Sequence, residues 1–509
     1  MNPPGNSAAP SRRAFLKASA ASAGAMSVAS ALSPEELWGQ QRRAHYSQLI
    51  ERLGQRGEWR DVDLRLVRRT TLGMTSGDVA RVKALGFSGY LEEQLAAERL
   101  DDAQTDARLA RYPEYHYSRA EFLRLEQTDS FWPVTPMLQR AIVERAAFSR
   151  RQLKERMIEF WSDHFYINFM PARMIDYREV VIQHALGNFH DMVRASMRST
   201  AMLQYLDQVW STKYGVNENY ARELLELHTC SPSIGYTQQD VHDFARILTG
   251  WTVDNGWNFQ YRADLHDFGA KRVLGMTFPA RTEAGGLAGI EEATRVVDFL
   301  LEHPNTARFI ATKLLRWFIR PDPTSAQIDA VASVYSSTRG DIKSMLRAVL
   351  TPNNLANAPA KLKRPYHLLL SAIRSSGVRL DPYTRNLGWE ATAGTLSAMG
   401  QGIFGWQTPD GYPDIPEYWA GMMVDRWNAM NSILGWERDA GRHPTFDPSA
   451  WDAASPTALV EQIATRMFAG EMSTPLREQL LACVTEQRVS DRARAGVFYA
   501  LCSPEFQFY

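Results

Sequence analysis

The sequence predicts a mainly α-helical fold, namely one large multi-helix globular domain with a small β-hairpin insertion near residues 251–278. Apolar residues recur three and four positions apart along most of the chain, which is the spacing of amphipathic helices. Clear alternation of apolar and polar residues, typical of strands, occurs only near the insertion. With 509 residues, 45% of them hydrophobic, the chain is long enough to bury a large core.

Helical stretches are expected throughout the part of the chain before the insertion. They are 34–57, 78–99, 140–169, 177–202 and 238–249, together with the polar helix 217–229 described below. The stretches 140–169 and 177–202 are each predicted as one unbroken helix, because their apolar residues keep to one face. The stretch 238–249 is delimited by its caps, since Thr237 and Asp240 form the pattern of a capping box and Gly250 suits the C-terminal cap.

The insertion is predicted to contain a hairpin. Asn255 and Gly256 form the dipeptide preferred in two-residue type I′ turns, and alternating residues flank it on both sides. A further strand is predicted over 272–278. Helical spacing then returns over 286–301, 306–318, 325–337, 340–350 and 456–509, whereas the aromatic-rich stretch 388–419 is predicted to be a structured loop.

The N-terminus has the pattern of an export signal. Arg12 and Arg13 precede a short, mildly apolar Ala/Ser run that ends in Ala29-Ser30-Ala31. We therefore predict a twin-arginine signal peptide over 1–31 and a periplasmic or secreted mature protein. The run is too short and too polar for a stable membrane span. Residues 32–509 are predicted to form one helical domain, with a possible subdivision near 280 and near 380–420.

The charge balance argues against a nucleic-acid partner. The chain has 57 basic and 57 acidic residues, so its formal net charge is zero. Proteins that bind nucleic acid rely on an excess of Lys and Arg to neutralise phosphates. We therefore expect no nucleic-acid binding.

The densest group of polar side chains lies on one predicted helix, 217–229. On a helical wheel Glu218, Arg222 and Glu226 form one stripe, with Asn219 and Glu223 beside it. One interpretation is a structural ladder of ion pairs spaced four residues apart. The other is functional: Glu223 and Glu226 are neighbours that bind a divalent metal or transfer protons, Arg222 is a further catalytic candidate and Asn219 contacts substrate.

Two further groups contain candidate metal ligands. His164 and His184 project inward from neighbouring predicted helices, and Asp264 and His266 would face the same way if their segment were extended. In this hypothesis Trp161, Trp251 and Lys271 line the substrate cavity. The alternative is that the histidines are packed core residues and that 264–271 is a polar loop.

Several motifs resemble the bacterial domain of unknown function 1800 family. They include Asn217–His228, Tyr236-Thr237-Gln238, Gly250-Trp251 and His266-Asp267-x-Gly269-x-Lys271. One departure is that residues 230–234 follow the first motif where the family usually continues with Leu-Gly. The resemblance implies an exported, largely helical bacterial protein, often encoded beside a second exported protein that is a plausible partner. It implies no catalytic residues.

Three functions are therefore open on the sequence. The first is a metal-dependent periplasmic enzyme built on the Glu-rich helix. The second is a non-catalytic scaffold or assembly partner of another exported protein, in which the polar helix only ties the bundle together. The third is a glycan- or peptide-binding protein that uses Trp406, Tyr412 and Trp419 as stacking surfaces.

Overall fold

The computed structural model describes residues 59–282, 286–380, 390–435 and 446–509, and these are mainly α-helical, as predicted. The helices of the first half are α1 (Val62–Thr70), α2 (Ser76–Leu95), α3 (Ala103–Leu109), α4 (Arg119–Gln127), α5 (Thr135–Phe148), α6 (Gln152–His164), α7 (Pro171–Asp176), α8 (Phe189–Ser196), α9 (Thr200–Tyr205), α10 (Asn219–Glu223) and α11 (Gln238–Leu248). Two π-helical turns, Tyr177–Ile182 and Leu224–His228, continue α7 and α10. The predicted signal peptide and the predicted helical stretch 34–57 lie outside the described residues.

The second half is helical except for two small antiparallel sheets. Its helices are α12 (Ala288–Glu302), α13 (Pro304–Phe318), α14 (Ser325–Thr338), α15 (Ile342–Val349), α16 (Pro352–Ala356), α17 (Pro365–Ser376), α18 (Thr395–Ala398), α19 (Pro416–Trp419), α20 (Met423–Leu434), α21 (Pro456–Phe468), α22 (Thr474–Thr485), α23 (Val489–Cys502) and α24 (Pro504–Gln507). Within the described ranges, none of these helices combines the length and the apolar character needed to cross a bilayer.

The prediction of an unbroken helix over 140–169 was wrong. The chain leaves α5 at Phe148 and re-enters a helix at Gln152. The Gln152 amide donates to the carbonyls of Ala146 (3.0 Å) and Ser149 (2.7 Å), so side-chain hydrogen bonds satisfy the backbone groups that the break leaves open. Apolar spacing continues on both sides of the break, which is why the sequence pattern does not reveal it.

The prediction of one helix over 177–202 was also wrong. The chain breaks at Gly187 and Asn188, between the π-helical turn and α8. The Asn188 side chain accepts from the backbone N–H of His190 at 2.8 Å and so caps α8. An Asn in the middle of a periodic stretch is the signal for this helix start.

The insertion contains two hairpins. Strand β1 (Trp251–Val253) pairs with β2 (Phe259–Tyr261), as predicted, but a five-residue loop replaces the two-residue turn. The Asp254 carboxylate shapes that loop by accepting from the N–H groups of Gly256 (2.9 Å) and Asn258 (2.8 Å).

The further strand predicted over 272–278 is itself a hairpin. Strand β3 (Lys271–Val273) pairs with β4 (Met276–Phe278). The two residues between them, Leu274 (φ 48°) and Gly275 (φ 84°), both have positive φ, as a type I′ turn requires. Helix α11 packs against β3, α10 and α12. It therefore joins the insertion to α10, which we call the motif helix because it lies within the motif Asn217–His228.

Gly250 generates the first prediction, because its backbone conformation and its surroundings leave no room for a side chain. Its φ is +81°, and an added Cβ would lie 2.4 Å from the carbonyl oxygen of Arg262. We expect Gly250→Ala to lower the free energy of unfolding by at least about 1–3 kcal/mol, measured by urea denaturation. The control is Gly215→Ala, because Gly215 is exposed and faces open space. An equal loss in both variants would contradict this account.

Candidate active site

The motif helix α10 changes its winding where the glutamates are. It continues beyond Glu223 as the π-helical turn Leu224–His228, and the Thr229 hydroxyl closes this turn by donating to the Leu224 carbonyl at 2.5 Å. Such turns in helices frequently occur at functional sites. The two faces are nevertheless those predicted. Buried residues are Leu224, Leu225 and His228; partly exposed ones are Glu223 and Glu226.

The predicted ladder of ion pairs is present on the polar face. Arg222 lies 3.4 Å from Glu218 and 3.5 Å from Glu226, and it donates to the Gln238 amide oxygen at 2.9 Å. The Tyr236 hydroxyl also donates to Glu226. Pairs of this kind on a partly exposed helix contribute about 0.3–0.5 kcal/mol each. Arg222 and Glu226, both predicted to be catalytic, are thus engaged in a ladder that ties α10 to α11.

Glu223 lies outside this ladder and forms no ion pair among the described residues. Partial burial raises the pKa of the Glu223 carboxyl to about 7, and the negative charges of Glu226 and Asp410 act in the same direction. The positive charge of Arg222 opposes the rise. A carboxyl group whose pKa lies near neutrality can both accept and release a proton under ordinary conditions.

His164 connects the motif helix to α13. Its Nε2 lies 3.2 Å from the backbone carbonyl of His228, and its Nδ1 lies 3.0 Å from the amine of Lys313. A carbonyl only accepts, so Nε2 carries the proton and Nδ1 accepts from Lys313. Burial and the charge of Lys313 hold the pKa of His164 well below its ordinary value. The ring is therefore neutral, with both nitrogens in hydrogen bonds.

Lys313 is a partly buried amine that forms no ion pair with a carboxylate in the described part of the chain. Burial lowers the pKa of Lys313 to about 8, whereas the charges of Asp163 and Asp410 oppose that change. Its neighbour His228 is also neutral, since burial lowers the pKa of the His228 ring to about 3. Lys313 is thus held in surroundings that bring its titration close to neutral pH.

The loop 405–413 supplies Asp410. The carboxylate accepts from the indole Nε1 of Trp406 at 2.9 Å and from the Thr408 hydroxyl. The loop lies directly on the end of α6, because a Cβ at Gly411 would be 2.2 Å from the Asp163 carbonyl oxygen. Glycine with φ +75° permits that approach.

The charge of Asp410 acts on three titratable groups. Its charge raises the pKa of Glu223, of Lys313 and of Tyr205. Burial is the main reason that the pKa of Tyr205 rises to about 12. We call Glu223, Lys313, His164 and Asp410 the acid–base cluster.

His266 and Lys271 belong to a different, buried network. The Lys271 amine lies 2.8 Å from a carboxylate oxygen of Glu292 on α12, and both side chains are buried. The His266 Nδ1 donates to the Thr249 carbonyl at 2.9 Å, and its Nε2 lies 3.9 Å from Glu292. The network ties the hairpins to α11 and α12.

The predicted metal ligands are not brought together. Asp264 is exposed and pairs with Arg262 at 2.6 Å, whereas His266 is buried, because a 3₁₀ turn at 263–265 replaces the extended segment that would have aligned them. His184 lies two residues after the π-helical turn that continues α7. It is partly buried, and burial lowers its pKa. In the described part of the chain, no group of three or more His, Cys, Asp or Glu side chains is arranged to hold a metal ion.

The predicted substrate-binding residues take different positions. Trp161 is fully buried, donates to the Ala185 carbonyl at 3.1 Å and packs edge-on to His164. It therefore helps to hold the His164 ring in place. Trp251 is buried against Phe259 in the first hairpin. Asn219 is exposed at the start of α10.

Sequence reasoning did not identify Lys313 or Asp410 as functional candidates. Lys313 did have a signal: it lies three residues after the buried Ile310, beside the apolar face of α13, where a charged residue is unusual. Asp410 had none, because its position depends on how the loop folds back onto α6.

The fold and this cluster define a mainly helical protein with a partly buried acid–base site, and the family comparison agrees with the motifs. The family described as "Protein of unknown function (DUF1800)" matches residues 65–508, so the chain belongs to that family. No curated protein and no solved structure matches the chain.

The buried pair of Lys271 and Glu292 generates the second prediction. Lys271→Met leaves the Glu292 carboxylate buried without its partner, and breaking a buried pair in this way costs about 3–5 kcal/mol. We expect that loss in urea denaturation, and a smaller one in the double variant Lys271→Met/Glu292→Gln. The control Arg262→Met removes an exposed pair and should change stability by less than about 0.5 kcal/mol. A stable, normally folded Lys271→Met protein would favour the substrate-binding interpretation instead.

Proposed function

We propose that this protein is an exported enzyme in which the acid–base cluster transfers protons, with Glu223 as the general base and Lys313 as the general acid. The proposal is supported by the hydrogen bond of the Lys313 amine to His164 and by the charge of Asp410, which raises the pKa of both Glu223 and Lys313. A base and an acid close to one charged loop are what a proton-transfer reaction requires.

The two groups have complementary protonation states at neutral pH. Glu223, with a pKa of about 7, is partly ionised there, whereas Lys313, with a pKa of about 8, is mostly protonated. Glu223 can therefore accept a proton from substrate or water while Lys313 donates one or stabilises developing negative charge.

His164 and Asp410 act on Lys313 rather than on substrate. The neutral His164 ring accepts from the amine and so fixes its direction. The Asp410 charge favours the protonated amine, which burial alone would disfavour. Both are positioning residues.

A divalent metal ion is a further part of the proposal. The negative charge of Glu226 disfavours ionisation of the Glu223 carboxyl. A hard cation such as Mg²⁺ is commonly held by one or two carboxylates with water in its other positions. Binding there would favour the ionised form of Glu223, so the pH profile predicted below for Glu223 refers to protein without the cation.

Export and a partner are proposed on the sequence alone. The Arg12-Arg13 signal supports twin-arginine export to the periplasm or beyond. The family resemblance supports a partner encoded nearby, itself exported.

A non-catalytic scaffold is the second candidate, and one observation favours it. Arg222, Glu226, Lys271 and Glu292 all have partners that join neighbouring elements. Glu223 and Lys313 lie outside these ion pairs. Substitutions at these two residues therefore distinguish the enzyme hypothesis from the scaffold hypothesis. The glycan-binding alternative lacks similar support, because Tyr412 and Trp419 are buried.

Our third prediction concerns Glu223. With chromogenic ester, phosphoester and glycoside substrates, we expect wild-type kcat/KM to be highest between about pH 7 and 8, where the base is ionised and the acid protonated. Glu223→Gln should lower it at least about 100-fold and remove the acidic limb of the profile. The control Glu218→Gln makes the same change in the ladder and should retain activity.

A measurement without substrate complements this assay. The folded pKa of Glu223, about 7, exceeds the ordinary value of 4.5, so the folded state binds this proton more tightly. Between those values, stability contributed by the protonated carboxyl is lost as pH rises. Glu223→Gln should flatten that part of the stability profile. An unchanged profile, together with unchanged turnover in Glu223→Gln, would exclude Glu223 as the base.

The fourth prediction tests the metal. Protein isolated from the periplasm without chelator should contain about one divalent ion per chain by elemental mass spectrometry, and Glu223→Ala/Glu226→Ala should lose it while remaining folded. The control Glu218→Ala should keep it. A wild-type protein free of metal would remove the cation from the proposal and leave proton transfer by the cluster to be judged by the pH profile.

A further inference from the structure

An open cleft of about 390 Å³ shares no residue with the acid–base cluster. Its walls come from both ends of α2, from the end of α5 and the break that follows it, and from the end of α17 with the residues directly after it. Pockets for small organic ligands typically have volumes of about 300–1,000 Å³. The cleft is therefore large enough for a small molecule.

Four arginines line this cleft, and two carboxylates neutralise only part of their charge. Arg374 lies 2.9 Å from Asp78, and Arg81 forms an ion pair with Glu93. The other two, Arg150 and Arg379, are exposed and form no ion pair within the described ranges, although the charge of Arg379 acts on the Asp447 carboxylate and the Arg150 guanidinium lies 3.5 Å from the Asp101 carbonyl. Among the residues that line the cleft, basic side chains therefore outnumber acidic ones by two, which favours an anion at this surface.

Arg150 is held in place through its backbone. Its N–H donates to the Asp102 carboxylate at 2.9 Å, and its carbonyl accepts from the Gln94 amide at 3.2 Å. The adjacent Ser149 hydroxyl donates to the same Asp102 carboxylate at 2.6 Å. The break in the helix is therefore a fixed structure that presents a guanidinium at the cleft.

Part of the wall is apolar. The cleft is also lined by the partly exposed Phe148 and by Leu100, Ile373 and Val378, which are largely buried. Arginine forks bind phosphate and carboxylate groups well, whereas apolar walls bind the body of an organic ligand. The two kinds of surface occur side by side.

We propose that this cleft binds a small organic anion, with its phosphate or carboxylate group against Arg150 and Arg379 and its apolar body against Phe148. The site is separate from the acid–base cluster, and the proposal does not depend on the enzyme activity.

The experiment is calorimetric titration with phenyl phosphate, which combines a ring with an anionic group. Wild-type protein should bind it saturably, whereas phenol, which lacks the charge, should bind at least tenfold more weakly. The double variant Arg150→Gln/Arg379→Gln should also bind phenyl phosphate at least tenfold more weakly, a loss of about 1.4 kcal/mol. The control Arg320→Gln/Arg477→Gln removes the same charge from exposed pairs with Asp322 and Glu461 and should bind normally.

Three results would overturn the proposal. They are no binding of phenyl phosphate to wild-type protein at millimolar concentration, equal affinities for phenol and phenyl phosphate, and unchanged affinity in the Arg150→Gln/Arg379→Gln variant. Titration of wild-type protein at higher ionic strength gives a readout that needs no variant. Binding through exposed arginines should weaken as the Debye length falls from about 30 Å at 0.01 M to about 10 Å at 0.1 M salt.

Discussion

The hydrogen bond between the Lys313 amine and the neutral His164 ring is the interaction on which the candidate site depends. It joins α13 to the end of α6, and the second ring nitrogen of His164 continues the connection to the backbone of His228 on the motif helix. Burial of an amine disfavours its charge. Here the compensating negative charges of Asp163 and Asp410 act at a distance, so the amine is left with a pKa near neutrality.

The loop 405–413 determines whether that balance holds. Gly411 lets the chain approach the Asp163 carbonyl more closely than a side chain would allow, and Asp410 is held by Trp406 in the same loop. The Asp410 charge then acts on Glu223 and Lys313 in the same direction, towards the protonated forms. A loop can tune two titratable groups at once because electrostatic coupling does not require contact.

The sequence was sufficient for what depends on local pattern. Helical spacing predicted the mainly α fold, the capping box at Thr237 and Asp240 is present, and Glu223 was among the candidates. It was not sufficient where tertiary contacts decide. The break after Phe148 depends on hydrogen bonds from Gln152, and the Lys313 contact joins residues 149 positions apart. A pattern of apolar residues contains no information about such partners.

Lys271 and Lys313 show why residue type alone does not identify a site. Both are lysines withdrawn from the surface, Lys271 fully and Lys313 in part. Lys271 has a buried carboxylate at 2.8 Å, so its positive charge is neutralised by a direct ion pair. This pair holds α12 against the hairpins. Lys313 has a neutral imidazole at 3.0 Å instead. A histidine nitrogen accepts a hydrogen bond without adding a negative charge, which keeps the proton of Lys313 available for transfer. The partner, rather than the lysine, therefore separates a structural contact from a candidate catalytic one.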